Sequence, residues 1–178
     1  MIRFGDFVDH VHKQYPDYCV VPVKHADLVF EERVKMNCFY CGKWNLNWKC
    51  PPRIPSVDFS IMFSEYEYLA LVYCKYPFTS ENYTVVRNES SIQLHHTLLK
   101  LEKFLWDHNN STAISFIGGS CKLCKNGCGK EHCNNPYNAR SPLEATGLNV
   151  IETAKMAGGL SICFPPEEFI IRIGMILW

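Results

Sequence analysis

The sequence predicts an α+β fold: a mixed β-sheet with helices mainly on one face and two cysteine-rich loops. Three observations predict it. Runs at 19–30, 66–73, 112–117 and 169–177 are rich in Val, Ile, Leu and aromatic residues, the composition of strands. Segments with apolar residues at helical spacing lie among these runs, and strands joined through helices build a layered sheet. Both cysteine-dense stretches follow a strand candidate, so each reads as a loop leaving the end of a strand. At 178 residues the chain forms a single domain, 1–178.

Taken in order, Ile2, Phe4, Phe7, Val8 and Val11 make one apolar face of a short helix over 2–14, ended by Tyr15-Pro16-Asp17. Cys19 to Phe30 is Val-rich and extended, and Pro22 confines its first part to an edge or a bulge. Cys19 reads as a small buried residue and His25 as a solvated or hydrogen-bonded one. Tyr66 to Tyr73 is a strand with Cys74 at its end. Residues 75–87 connect onward through a short extended piece, Tyr83-Thr84-Val85-Val86. Ser90 or Ser91 caps a helix running to about His108, with Leu94, Leu98, Leu101 and Leu105 as its buried stripe. His95 and His96 on that helix read as surface or packing residues. Thr112 to Ile117 alternates as a strand does. Ser141-Pro142-Leu143-Glu144 has the pattern of a helix start, whose N-terminus, together with Arg140, favours negative charge nearby. Gly147 interrupts that helix, Asn149 caps a second piece, and Gly158-Gly159 closes it. Phe169 to Leu177 is the last strand, preceded by Cys163 in an apolar setting.

The chemistry lies in the cysteines, of which there are ten. Cys121, Cys124, Cys128 and Cys133 fall within thirteen residues, spaced C-x2-C-x3-C-x4-C among glycines. Thiolate sulfur is the soft ligand of iron–sulfur clusters and zinc. A zinc ribbon draws its ligands from two separated C-x2-C pairs, so this compact spacing favours a cluster loop. The upstream group, Cys38, Cys41 and Cys50, has the spacing C-x2-C-x8-C-P-P. A cysteine followed by proline resembles the ligand loops of bacterial ferredoxins. Trp44 and Trp48 are placed to shield a centre from water or to serve as core aromatics. Three cysteines leave either a remote fourth ligand (Cys19, Cys74, Cys163 or a histidine) or an open position.

Composition excludes several classes. Eighteen basic and eighteen acidic residues leave a formal charge of zero, which gives no nucleic-acid footprint and no polybasic membrane patch. No stretch reaches the ~18 apolar residues of a membrane-spanning helix. Four Asn-x-Ser/Thr sequons, at Asn82, Asn88, Asn109 and Asn110, together with an even cysteine count, raise the possibility of a secreted disulfide protein. The cysteines bunch in two loops and the first residues form no signal-like apolar run, so a reducing, cytoplasmic setting is expected instead.

The run Gly119-Ser120-Cys121-Lys122-Leu123-Cys124, then Cys128 and Cys133-Asn134-Asn135-Pro136, then Ala139 to Val150, resembles an uncharacterised family of cysteine-rich predicted metal-binding proteins of anaerobic archaea and bacteria. Cys50-Pro51-Pro52 resembles that family's first cysteine motif, and the likeness spans most of 35–160. The resemblance implies metal binding and no assigned reaction. Where the family often has a further cysteine this chain has Thr146, so the downstream set is Cys121, Cys124, Cys128 and Cys133 alone.

The expected function is that of an iron–sulfur protein. A [4Fe-4S] cluster sits on Cys121, Cys124, Cys128 and Cys133, and a second centre on Cys38, Cys41 and Cys50. Its work is electron transfer to a redox partner protein or an accessory role in anaerobic metabolism. Two alternatives stand: an iron–sulfur enzyme whose open site binds a small substrate, and a zinc-stabilised interaction module. Lys122, Lys125 and Lys130 form either a docking patch for an acidic partner or a solvated rim.

Overall fold

The last apolar run, Phe169–Leu177, is a strand (β4), and it lies inside the sheet. In a computed structural model describing residues 2–178, the order of elements is α1 (Phe4–Gln14), β1 (Cys19–Val23), α2 (Glu32–Tyr40), α3 (Phe59–Ser64), β2 (Leu69–Pro77), α4 (Tyr83–Asp107), β3 (Ile114–Ile117), α5 (Val150–Gly158) and β4. Short 3-10 turns occupy His25–Asp27 and Glu144–Thr146. The strand order is β1-β2-β4-β3.

Every bonded strand pair is antiparallel, where a mixed sheet was expected. The α4 crossover does return β3 in the same direction as β2, since both run opposite to β4. However, β4 inserts between them, so the parallel pair never forms a ladder.

Helices cover both faces of the sheet, which corrects the expectation of helices mainly on one face. On one face α1 and α4 pack Phe7, Val11, Leu94, Leu98, Leu101 and Leu105 against Ala70, Val72 and Ile176. On the other, Phe63 of α3 and Val150 and Ala154 of α5 pack against Leu69, Leu71, Met175 and Leu177. Both parities of β2 and β4 are buried, and a strand apolar on both sides needs cover on both. At Gly174 the close approach is specific: an added Cβ would stand 2.5 Å from Leu98 Cδ1 and 2.7 Å from Phe116 O.

Three local expectations change. The extended piece at Tyr83–Val86 is the first turn of α4, with Val86 N–H bonded to Asn82 O. Its β-branched residues favour a strand locally, but the continuing leucine stripe on the sheet decides the conformation. Ser90 and Ser91 are therefore buried mid-helix rather than caps. Ser141 starts no helix, because its carbonyl accepts from Ile117 N–H and Leu143 N–H donates back to Ile117 O, which ties 141–143 beside β3. Only the 3-10 turn follows, ended by Gly147 at φ +89, before Asn149 caps α5 as expected.

Candidate metal centre

The upstream cysteines begin on a helix. Cys38 lies in the last turn of α2 and Cys41 is its C-cap, with Gly42 reversing the chain at φ +71. Beyond it Asn47, 5 % exposed, holds the loop from inside. Its Oδ1 accepts from Lys49 N–H at 2.9 Å, and its Nδ2 donates to the carbonyl of Cys121 at 3.1 Å. Trp48 Nε1 donates to Gly129 O at 2.7 Å, and the guanidinium of Arg53 covers the Trp48 ring at 4.1 Å. Two hydrogen bonds thus join the upstream loop to the downstream one across about eighty residues of sequence.

The downstream loop leaves β3 at Gly118, where a Cβ would stand 2.3 Å from Ile173 O. Gly119 N–H donates to both oxygens of Glu144, at 3.3 and 3.2 Å. Gly127, at φ +80, donates to Cys124 O at 3.0 Å and closes a turn between the second and third cysteines. Asn135 Nδ2 donates to Cys124 Sγ at 3.3 Å. Both ends of the loop are fixed to the core by one carboxylate. Glu102 of α4, 1 % exposed, accepts from Ser115 N–H at 2.9 Å and Ser115 Oγ at 2.5 Å, before the loop. It also pairs with Arg140, after the loop, through Nε at 2.9 Å and through Nη2. His95, 1 % exposed, adds a third anchor, its Nε2–H donating to Asn138 O at 3.0 Å.

All ten cysteines are free thiols. Burial pushes the Cys50 thiol up to about 12, and the sulfurs of Cys41, Cys38, Cys121 and Cys128 push the same way. Cys50 therefore feels the charge of both groups. Cys38 is pushed up to about 11, first by burial and then by Glu144 and Cys41. Cys121 is raised chiefly by burial, with Cys128, Cys124 and Cys133 adding to it. Without a cation these groups hold protons at neutral pH, and a bound cation reverses that preference by stabilising thiolate. Among the described residues no three His, Cys, Asp or Glu side chains stand close enough together to hold one metal ion. The donor chemistry fits a thiophilic metal: soft, free sulfurs gathered on two cross-bonded loops.

The remaining cysteines lie elsewhere. Cys74 is in the core beneath α1 and α4, Cys19 is exposed on the edge strand opposite Tyr73, and Cys163 is exposed ahead of β4. Cys19 and Cys163 were expected in apolar surroundings; the edge position and the open segment explain their exposure. The sulfurs acting on Cys50 from outside its own group are Cys121 and Cys128, not these three. His25 is engaged with Phe63 O. Arg140 was expected to act with a helix N-terminus on a centre, but its charge is committed to Glu102 and no helix starts at Ser141. Asn47, Asn135 and Glu102 do the local work and were not singled out from sequence. Only asparagine's habit of serving irregular backbone pointed to the first two.

A family model described as "Predicted metal-binding protein (DUF2284)" matches residues 21–178. No curated protein and no solved structure matches the chain.

Proposed function

The chain belongs to this predicted metal-binding family, and we propose that the metal is iron, held as iron–sulfur clusters for electron transfer. Cys121, Cys124, Cys128 and Cys133 would hold a [4Fe-4S] cluster, and Cys38, Cys41 and Cys50 a second centre. One observation carries the reading: seven free thiols lie on the segment from the end of α2 onward and on the downstream loop, and Asn47 and Trp48 fasten the one to the other. A cluster supplies one-electron chemistry when bound. It also distributes its thiolates over several irons, so it needs no cage the size of a single ion.

The protein's own groups then set the conditions. The Asn135 amide, already donating to Cys124 Sγ, places positive hydrogen-bond density on a sulfur that gains charge on reduction. Trp48 and Arg53 cover the seam between the loops and limit the access of water. With Cys121, Cys124, Cys128 and Cys133 committed to the downstream cluster, the upstream group takes its fourth donor from beyond these seven cysteines or leaves that position open. Exposed Lys125 and Lys130 at the rim offer a docking surface to an acidic redox partner. A reducing, cytoplasmic setting accords with ten unpaired cysteines, and no helix among the described residues is long and apolar enough to cross a membrane. Spectra and metal analysis of oxygen-free protein test the reading. A brown protein containing iron and acid-labile sulfide is expected; stoichiometric zinc without sulfide would replace this reading with a zinc-stabilised module.

A further inference from the structure

Beside the cysteine loops lies a cavity of ≈590 Å³ whose charge nothing above explains. Arg172 of β4 and Arg87 of α4 both line it. The Arg172 guanidinium is fixed in place: Nε donates to Ser90 Oγ at 2.9 Å and Nη2 to the backbone carbonyl of Arg87 at 2.5 Å. Its Nη1 has no partner among the described residues. The Arg87 side chain likewise makes no hydrogen bond there. Neither arginine has a carboxylate within 4 Å among the described residues, whereas Arg3, Arg33 and Arg140 each do. Lys122, from the downstream loop, reaches the same turn of α4 and donates to Asn88 Oδ1 at 2.9 Å.

Two carboxylates also face the cavity; neither forms an ion pair with these arginines, although Glu144 attracts Arg172 from beyond ion-pair distance. Glu31 is bonded to Arg33 and Asn149, and Glu144 accepts from Gly119 N–H. Burial, followed by the repulsion of Arg87, holds Arg172 below its usual range. Folding thus brings two guanidiniums without a carboxylate partner to one concave surface, an arrangement that an oxyanion relieves. Leu148, Ile162 and Phe164 supply apolar walls, and Phe164 is 76 % exposed at the mouth. The volume falls within the ~300–1,000 Å³ of small-molecule sites.

We propose that this cavity binds a small organic anion, a phosphate or carboxylate carried on an apolar body, with Arg87 and Arg172 taking the charged head and Phe164 covering the body. Asn37 and Gly119 line the same cavity beside Cys38 and Cys121, so a bound anion adjoins the candidate metal centre. The site is built from other residues, and it stands whatever metal the cysteines hold.

Calorimetric titration of the full chain, as purified, tests this with three probes: phenyl phosphate, inorganic phosphate and benzyl alcohol. Phenyl phosphate should bind most tightly and weaken as salt rises. Arg87→Gln, an exposed change on α4, should lower its affinity about tenfold or more, the worth of a charge-assisted hydrogen bond. Arg172→Gln should do at least as much if it folds, and Lys13→Gln, on distant α1, should do nothing. No saturable binding at millimolar concentration would overturn the proposal, as would an unchanged affinity in Arg87→Gln or an equal loss in Lys13→Gln. Equal affinity for inorganic phosphate or for benzyl alcohol would remove the apolar body or the charged head, respectively, and with it the proposed ligand class.

Discussion

Replacing Glu102 by Ala should weaken the fold and release both ends of the downstream loop together. Glu102 is 1 % exposed and holds Arg140, whose side chain is 14 % exposed, together with the amide and hydroxyl of Ser115. Its removal strands a buried cation and a buried amide. Breaking a buried ion pair from one side costs about 3–5 kcal/mol. That is a large part of the ~5–15 kcal/mol that holds a typical domain, and at ~2–4 °C per kcal/mol it lowers Tm by roughly 6–20 °C. Urea unfolding followed by circular dichroism measures the loss. The double variant Glu102→Leu/Arg140→Met removes the charge from both sides and should recover more than half of it. A single variant within about 1 kcal/mol of the parent would show that the pair behaves as a surface salt bridge, and the account of the loop anchor would fail.

Three further outcomes follow from the same geometry. His95 is held down to about 4 by burial, below an unfolded value of about 6.5, so the unfolded chain takes up its proton first as pH falls. Its contribution is therefore intact above about pH 6.5 and is lost towards pH 4, by roughly 3 kcal/mol, and in His95→Gln the slope of stability across that window should flatten. Gly129→Ala would place a Cβ 2.2 Å from the backbone oxygen of His132 and 2.6 Å from Asn134 Oδ1, so the loop must shift; the unfolding free energy of the metal-free protein in urea should fall by about 1–3 kcal/mol and metal content should fall with it, and parent-like values of both would contradict the close packing of this loop. Asn135→Leu removes the donor to Cys124 Sγ; a bond worth ~1 kcal/mol corresponds to about 40 mV for one electron, so voltammetry should find the downstream cluster's potential lower by tens of millivolts, and a rise would contradict the hydrogen bond's role.

The strands and the long helix were legible because their apolar residues repeat with clear periods. Phe169–Leu177 and the leucines of α4 fall where the pattern places them. Strand order was not legible, since no local signal tells β4 to insert between β2 and β3. The two-sided cover was partly legible: the apolar run Leu69–Val72 does not alternate, and that is the mark of a strand buried on both faces. Short α2 and α3 escaped notice because nine and six residues hold too few turns to show a period. At the candidate site, ligand types and spacings could be read along the chain. The fastening of one loop to the other by Asn47 and Trp48 joins residues 74 and 81 positions apart, a relation that only the fold creates.

The most direct test is a count of iron and acid-labile sulfide per chain in protein purified without oxygen, compared with the same count in Cys124→Ser. The parent should carry at least about four of each, with the variant losing most of the downstream share while circular dichroism stays unchanged. A parent protein with no bound metal, or a variant that keeps the full complement, would contradict the assignment of Cys121, Cys124, Cys128 and Cys133 to a cluster.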